Sequence, residues 1–486
     1  MDGFIETLSG WLWSTPMIVF CIGIGVFFSF MTKFAQIRLI KDMVQQMFKG
    51  KSSKSGISSF QALSIALSGR VGTGNIAGVA TAIAYGGPGS VFWMWLIAFF
   101  GAATAYVEST LGQIYKEKVD GIYCGGPAYY IEKGLNRRWA GMVFAVAAIV
   151  AMSVLMPGVQ SNAISSGFKK AFSVDPTVTG IILVVLLGVI ILGGVKRIAN
   201  VAQLVVPFMA IGYILISLII IIMNIEAVPG VFKLIFSSAF GANQLFGGIL
   251  GSAISWGVKR GIYSNEAGQG TGPHAASAAE VSHPAKQGLV QSFSIYIDTL
   301  LVCSATAFMI LFTNSYNVYE PDQKSLLVNN IGETVEVGTA YTQIAVDSQL
   351  PGFGSPFVVV ALFFFAFTTI MAYYYIAEVN IIYLFKKKSK NIPILVLKLI
   401  FLAAVFYGTV RTSDIAWTLG DVGLGLMVWV NLIGLVLLYK PAIRALKDYE
   451  NQKKQGVDPT YDSTKQGVKN AEFWADGYKH ENEERS

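Results

Sequence analysis

The sequence predicts an all-α polytopic membrane protein of eleven transmembrane helices. Ten of them form a 5+5 inverted repeat (helices 2–6 and 7–11) with two broken helices, behind one extra N-terminal helix. Three observations predict this. Of 486 residues, 53% are hydrophobic and 13% charged; soluble domains carry about 25% charge, enough to coat a globule. Eleven apolar stretches are long enough to cross about 30 Å of hydrocarbon. Two of them, five apart in order, are interrupted by glycines and polar residues.

The same composition argues against a soluble enzyme and excludes disorder, collagen and coiled coil for the bulk of the chain. Cys21, Cys124 and Cys303 fall in or near apolar stretches and give neither a disulfide framework nor metal spacing. The stretches run over 11–33, 57–84, 89–115, 143–168, 177–195, 201–223, 242–272, 287–313, 355–385, 392–410 and 415–440. The first has no basic residue before it and no small-residue cleavage site, so it is expected to stay as a helix.

Lys and Arg set the orientation. With the N-terminus outside, the cytoplasmic loops 34–58, 116–142, 196–200 and 386–391 hold sixteen of them. The outside loops 85–88, 169–176, 224–241, 314–354 and 411–414 hold five, and 314–354 carries five acids. The net charge of +7 is therefore topology, not a nucleic-acid signal, and Lys386-Lys387-Lys388 is a topology anchor. The expected organisation is 1–56, an extra helix and basic cytoplasmic loop; 57–223, the first repeat; 242–440, the second, with its acidic extracellular loop 314–354; and 441–486, a polar cytoplasmic tail. From about 447 the tail is expected to be largely disordered. The protein is expected in the cell membrane, crossing it many times.

The second stretch contains Ser68-Gly69-Arg70-Val71-Gly72-Thr73-Gly74-Asn75, and the seventh Ser252-Ala253-Ile254-Ser255-Trp256-Gly257-Val258-Lys259-Arg260-Gly261. Each glycine weakens a helix by about 1 kcal/mol, and Arg70 at membrane depth costs at least about 2.5 kcal/mol. Close packing alone would explain Gly74 and Gly78 as a small-xxx-small face; it does not explain Arg70, Thr73 and Asn75 beside them. Interruptions at corresponding places in two inverted halves point to a transporter site at the midplane. Unwound backbone there offers amides to an anion and carbonyls to a cation, a pairing that suits a zwitterion.

Gly72-Thr73-Gly74-Asn75-Ile76-Ala77-Gly78 and Gly261-Ile262-Tyr263-Ser264-Asn265-Glu266-Ala267-Gly268-Gln269-Gly270-Thr271 resemble the signatures of the alanine/glycine:cation symporters. The likeness runs from about 60 to 440. It implies sodium- or proton-driven uptake of alanine or glycine on the inverted-repeat fold of the bacterial leucine transporter. By that resemblance, the Thr73 and Gly74 amides with Asn75 would meet the substrate carboxylate. The carbonyls of Ser252, Ala253 and Ser255, at a turn over Ser255-Trp256-Gly257, would meet its ammonium. Glu108 would brace the unwound amides. Thr368 and Thr369, with the carbonyls of Phe365, Ser68 and Val71, would hold Na+ as coupling ion, and Asn75 could serve a second Na+. These five ligands are neutral, which suits a monovalent cation and not a proton. No organic cofactor is implied.

Other residues keep two readings. Trp256 is either packing or a wall that shrinks the pocket to alanine size. Gln160, after Pro157-Gly158, reaches the substrate or makes an interhelical bond. Asp298 is an intramembrane acid, functional by default or a structural partner of a cation; proton coupling would run through Asp298 or Glu108. Arg70 needs compensation: Glu266 is the first candidate, as an inner gate, and free carbonyls at a helix end are the alternative. His274 and His283 have no third ligand nearby for zinc. An ion channel is the competing function class, but two inequivalent broken helices in one chain favour a single occluded site.

Overall fold

In hydrocarbon a chain must satisfy its own backbone hydrogen bonds, and helices do so within one segment. The computed structural model describes residues 2–386, 390–475 and 477–478. The main helices are α1 (Thr15–Met31), α2 (Ser59–Arg70), α3 (Val79–Gly86), α4 (Ser90–Ile114), α5 (Pro127–Leu135), α6 (Arg138–Val150), α7 (Pro157–Phe172), α8 (Pro176–Ile191) and α9 (Gly194–Met223). The second half continues with α10 (Leu250–Asn265), α11 (Gly272–Ala278), α12 (Pro284–Ile295), α13 (Ser304–Phe312), α14 (Gly354–Phe385), α15 (Asn391–Thr409) and α16 (Ser413–Lys454).

Among the described residues, eight helical stretches are long and apolar enough to cross a membrane, against the eleven expected. The expected spans outside those eight are the two broken ones, split into α2 with α3 and α10 with α11, and the sixteen-residue α8. Short π-helical turns join helices elsewhere: Ala151–Leu155 links α6 to α7, and Tyr296–Cys303 links α12 to α13. Along α9 the exposed side chains Leu204, Phe208, Ile211, Leu215, Leu218 and Ile222 recur at three or four residues. That spacing lays one apolar stripe along a helix, a face fit for lipid.

Contacts sort the loops onto two faces. On one, Arg38 meets Glu450 at 2.8 Å, Lys386 meets Glu117 at 3.3 Å, and Lys196 donates to the Lys54 carbonyl at 2.9 Å. These tie together 34–58, 116–142, 196–200, the 386–391 loop and the end of α16. Lys387 and Lys388 of the basic run lie outside the described residues. On the other face Asn224 donates to Gln349 at 3.0 Å, and the rings of Tyr85 and Tyr319 lie 5.6 Å apart. The acidic loop 314–354 is ordered there: β1 (Asn317–Tyr319) and β2 (Leu326–Asn329) form an antiparallel hairpin, followed by a helix over Thr339–Gln349.

The expectation of a largely disordered tail is corrected. Helix α16 runs to Lys454, and Tyr461 and Trp474 beyond it are buried. The Trp474 indole donates to the Gln113 carbonyl at 2.9 Å, and Lys286 pairs with Asp458 at 2.7 Å. Lys116 lies over the rings of Tyr123, Phe473 and Trp474 at 4.3, 4.5 and 5.2 Å. Charge content alone misses these few aromatic anchors, each of which gains apolar burial or a cation–π contact. Residues 479–486 lie outside the described residues.

Candidate functional site

A capping box starts α2: Ser58 Oγ accepts from the Gln61 amide at 3.2 Å, and Gln61 Oε1 accepts from the Ser58 amide at 3.0 Å. The helix ends at Val71, and a π-helical turn over Gly74–Gly78 leads into α3. Gly72 has no room for a side chain, since a Cβ would stand 2.5 Å from Thr369 Oγ1 and 3.1 Å from Gln160 Oε1. Asn75 Oδ1 accepts from the Gly72 amide at 2.8 Å and closes the turn. Gln160 Oε1 accepts from both the Thr73 amide, 3.0 Å, and the Thr73 hydroxyl, 2.7 Å. Gly74 sits against Tyr263 and Ser264 of α10.

Asn75 also reaches Asp298. Its Nδ2 donates to Asp298 Oδ1 at 2.7 Å, and the Asp298 carboxylate accepts from Ser264 Oγ at 3.0 Å and Thr299 Oγ1 at 2.7 Å. Thr306 Oγ1 donates to the Asn75 carbonyl at 2.6 Å. Asp298 is fully buried on the π-helical turn of 296–303. A carboxylate that accepts three charge-assisted bonds is far better compensated than a bare one.

The second break lies ten residues beyond its expected place. Helix α10 passes through Ser252, Ala253, Ser255, Trp256 and Gly257 without interruption, so their carbonyls stand in helical register, where residue i+4 donates to each. Gly257 serves close approach: a Cβ there would stand 2.5 Å from the Ser90 carbonyl. The chain unwinds after Asn265, with positive φ at Glu266, Gly268 and Gly270. Glu108 braces this second break: its two carboxylate oxygens accept from the Gly268 and Gly270 amides at 3.3 and 3.2 Å. Asn431 of α16 donates to Glu108 Oε2 at 3.0 Å and to the Gly268 carbonyl at 2.9 Å.

Arg70 is buried at the end of α2 and meets the freed end of α10. Its Nε donates to the Asn265 carbonyl at 2.8 Å, and Nη1 reaches Gln291 Oε1 at 3.1 Å and Ser294 Oγ. It forms no ion pair among the described residues. Glu266 instead accepts from Thr271 Oγ1 at 2.7 Å. Of the two readings of Arg70, this geometry is the helix-end carbonyl.

Thr369 Oγ1 lies 2.8 Å from the Ser68 carbonyl, 2.9 Å from that of Phe365 and 3.4 Å from that of Val71. Thr368 is turned to its own helix, with Oγ1 2.9 Å from the Phe364 carbonyl and 3.0 Å from that of Phe365. Thr369 Oγ1 thus meets two carbonyls of the first broken helix, Ser68 and Val71, besides its own back-bond to Phe365, whereas the Thr368 hydroxyl makes the local back-bond open to any helical threonine. The donors are neutral oxygens, the set a hard monovalent cation takes. Trp256 lies elsewhere, 5.0 Å from the Tyr85 ring and 5.1 Å from the Arg260 guanidinium. Arg260 and Lys259 pair with Asp421 at 3.1 and 2.6 Å.

Residues 1–463 match a model described as the sodium:alanine symporter family. The chain belongs to that family. Within its range, the "Putative sodium/proton-dependent alanine carrier protein YrbD" of Bacillus subtilis (strain 168) is 66% identical over 99% of each chain. The "Sodium/proton-dependent alanine carrier protein" of Bacillus sp. (strain PS3) is 58% identical, over 90% of this chain and 98% of that one. Among solved structures, a manganese transporter of Eremococcus coleocola aligns with a TM-score of 0.51 at 13% identity, over 85% of this chain and 93% of that one; this is a likeness of fold.

In this symporter-family chain, sequence reasoning missed Ser264, Thr299 and Thr306 around Asp298, Asn431 beside Glu108, and the Lys259–Arg260–Asp421 group. Only the last carried a signal, since three charges inside two apolar stretches need one another. His274 bonds Asn380 at 2.9 Å, and no group of three His, Cys, Asp or Glu side chains among the described residues could hold a metal.

Proposed function

We propose that this chain is a secondary active transporter that couples the entry of a cation, sodium first, to symport of alanine or glycine by alternating access. It would cross the cell membrane eleven times, N-terminus outside and C-terminus cytoplasmic, with the last ten spans forming the inverted repeat. Family membership supports the reading, and relatives bear the names of sodium/proton-dependent alanine carriers. The observation that carries it is the approach of the Ser68 and Val71 carbonyls of the first broken helix to Thr369 Oγ1 of α14.

The amino acid would sit at the turn of Thr73, Gly74 and Asn75. Gln160 Oε1 already takes the Thr73 amide and hydroxyl, so a carboxylate oxygen would replace one oxygen acceptor by a stronger one. Gly74 against Tyr263 leaves little width, in keeping with a small side chain. The driving force is adequate. A tenfold sodium gradient gives about 1.4 kcal/mol and 100 mV about 2.3, together roughly 500-fold accumulation per sodium.

A second reading, proton coupling, is favoured by one observation, the buried Asp298 carboxylate bonded to Asn75. Alanine uptake into proteoliposomes, with sodium and pH gradients imposed separately, tests both. Accumulation driven by sodium alone supports the first; accumulation that ignores sodium and follows pH replaces it with the second.

A further inference from the structure

On the face that carries the tail, a cavity of about 370 Å³ lies between the α5–α6 junction, Pro441 and Arg444 of α16, and the tail segment 467–470. Three cations line it, Lys133, Arg444 and Lys469, and no carboxylate among the described residues does. Lys133 is already matched, by Glu117 at 3.1 Å and Glu472 at 2.7 Å. Arg444 and Lys469 form no ion pair among the described residues, and the one bond of Arg444 is a long 3.5 Å contact to the Gln466 carbonyl. The cavity thus presents two uncompensated positive charges.

Its position says what kind of anion fits. Further along the same two helices, α6 exposes Trp139 (63%), Val143 and Val146, and α16 exposes Leu437 (60%) and Ile433. These are apolar faces that only lipid covers well. Tryptophan at the start of such a face is the usual interfacial residue. A basic pocket at the start of α6 and beside the last turns of α16, where their apolar faces end, has the layout that holds a phospholipid headgroup. A soluble anion would satisfy the charges but would leave the exposed apolar faces of α6 and α16 uncovered.

We propose that this cavity binds the phosphate of an anionic diacyl phospholipid, whose chains lie along the apolar faces of α6 and α16. Because Gly467–Asn470 form one wall, the lipid fastens the tail to the membrane surface.

The test uses the full chain in vesicles and brominated lipids, which quench tryptophan on contact. The signal of Trp139 is the difference between the chain and its Trp139→Phe variant. Brominated phosphatidylglycerol is expected to quench it in preference to brominated phosphatidylcholine. Arg444→Gln and Lys469→Gln, both on exposed side chains, should each lower that preference about fivefold, and together about 25-fold. Lys41→Gln with Lys51→Gln, an equal charge loss elsewhere on this face, should leave it unchanged. Equal quenching by the two lipids, or a preference that survives the double substitution or falls equally in the control pair, overturns the proposal. Competition by inorganic phosphate equimolar with the headgroups would assign the cavity to a free anion and overturn the lipid.

Discussion

Asn75 Nδ2 stands 2.7 Å from Asp298 Oδ1, while its Oδ1 holds the Gly72 amide at 2.8 Å. One amide thus ties the turn of the first broken helix to a carboxylate 223 residues later in the chain. A single side chain thus links the Asp298 carboxylate to the backbone of this turn.

Replacing Asp298 by Asn keeps the shape and removes the charge. A hydrogen bond to a charged group is worth about 2 kcal/mol, so half-saturation by sodium should rise roughly 30-fold. Alanine uptake against sodium concentration measures it; an unchanged curve would make Asp298 a purely structural partner.

Thr369→Val and Thr368→Val should differ. Thr369 Oγ1 faces the Ser68 and Val71 carbonyls, and Thr368 bonds only its own helix and neighbours Met209. The first change should raise sodium half-saturation by about tenfold or more, at about 1.5 kcal/mol for a lost ligand. The second should leave it within about twofold. Equal effects from both would refute the assignment.

Gly72→Ala places a methyl group 2.5 Å from Thr369 Oγ1, and overpacking of this kind costs about 1–3 kcal/mol. We expect folded protein, seen as monodisperse elution, with uptake reduced at least about tenfold. Wild-type uptake would show that the turn is looser than the structure describes.

Trp256→Leu should not widen specificity. The ring packs on Tyr85 and lies over Arg260, so its loss removes a cation–π contact of about 0.5–2 kcal/mol from the Asp421 group. Competition of alanine uptake by leucine should match that of the unmutated chain. Stronger competition by leucine would return Trp256 to the pocket wall.

Burial pushes the His283 ring below its ordinary value of 6.5. Its Nδ1 accepts from the Ala285 amide at 3.1 Å, and Nε2 lies 3.2 Å from Asp448 Oδ2. Between the lowered value and 6.5 the unfolded chain binds more protons, so this contribution is present above pH 6.5 and is lost as pH falls below it. Thermal unfolding followed from pH 8 to 5 should show a drop that His283→Gln diminishes; parallel curves would disprove the link.

Much of this was legible in the sequence. Glycine with Arg70, Thr73 and Asn75 marked the first break, and the Ser68, Val71 and Phe365 carbonyls lie near Thr369 Oγ1. The second break was misplaced because glycine has two uses. Gly257 and Gly261 let α10 approach α4 closely, where a Cβ would stand 2.5 Å from the Ser90 carbonyl and from Ile97. The alternating Gly268, Gly270 and Gly272 before Pro273 carried the better signal, since Pro opens the next helix. Ser264, Thr306 and Asn431 lie in segments far apart in the chain, and their meaning appears only once those segments pack.

The first helices lean on the last one. The Trp13 indole donates to the Asp421 carbonyl, 408 residues further on, and Trp429 donates back to the Leu12 carbonyl. At roughly 5–20 residues per second of synthesis, Trp13 waits about 20–80 s for that partner to be made. The amino end therefore spends most of translation in the bilayer without its seat. Premature termination upstream of residue 421 should leave a nascent chain whose beginning, as well as its end, is marked for quality control.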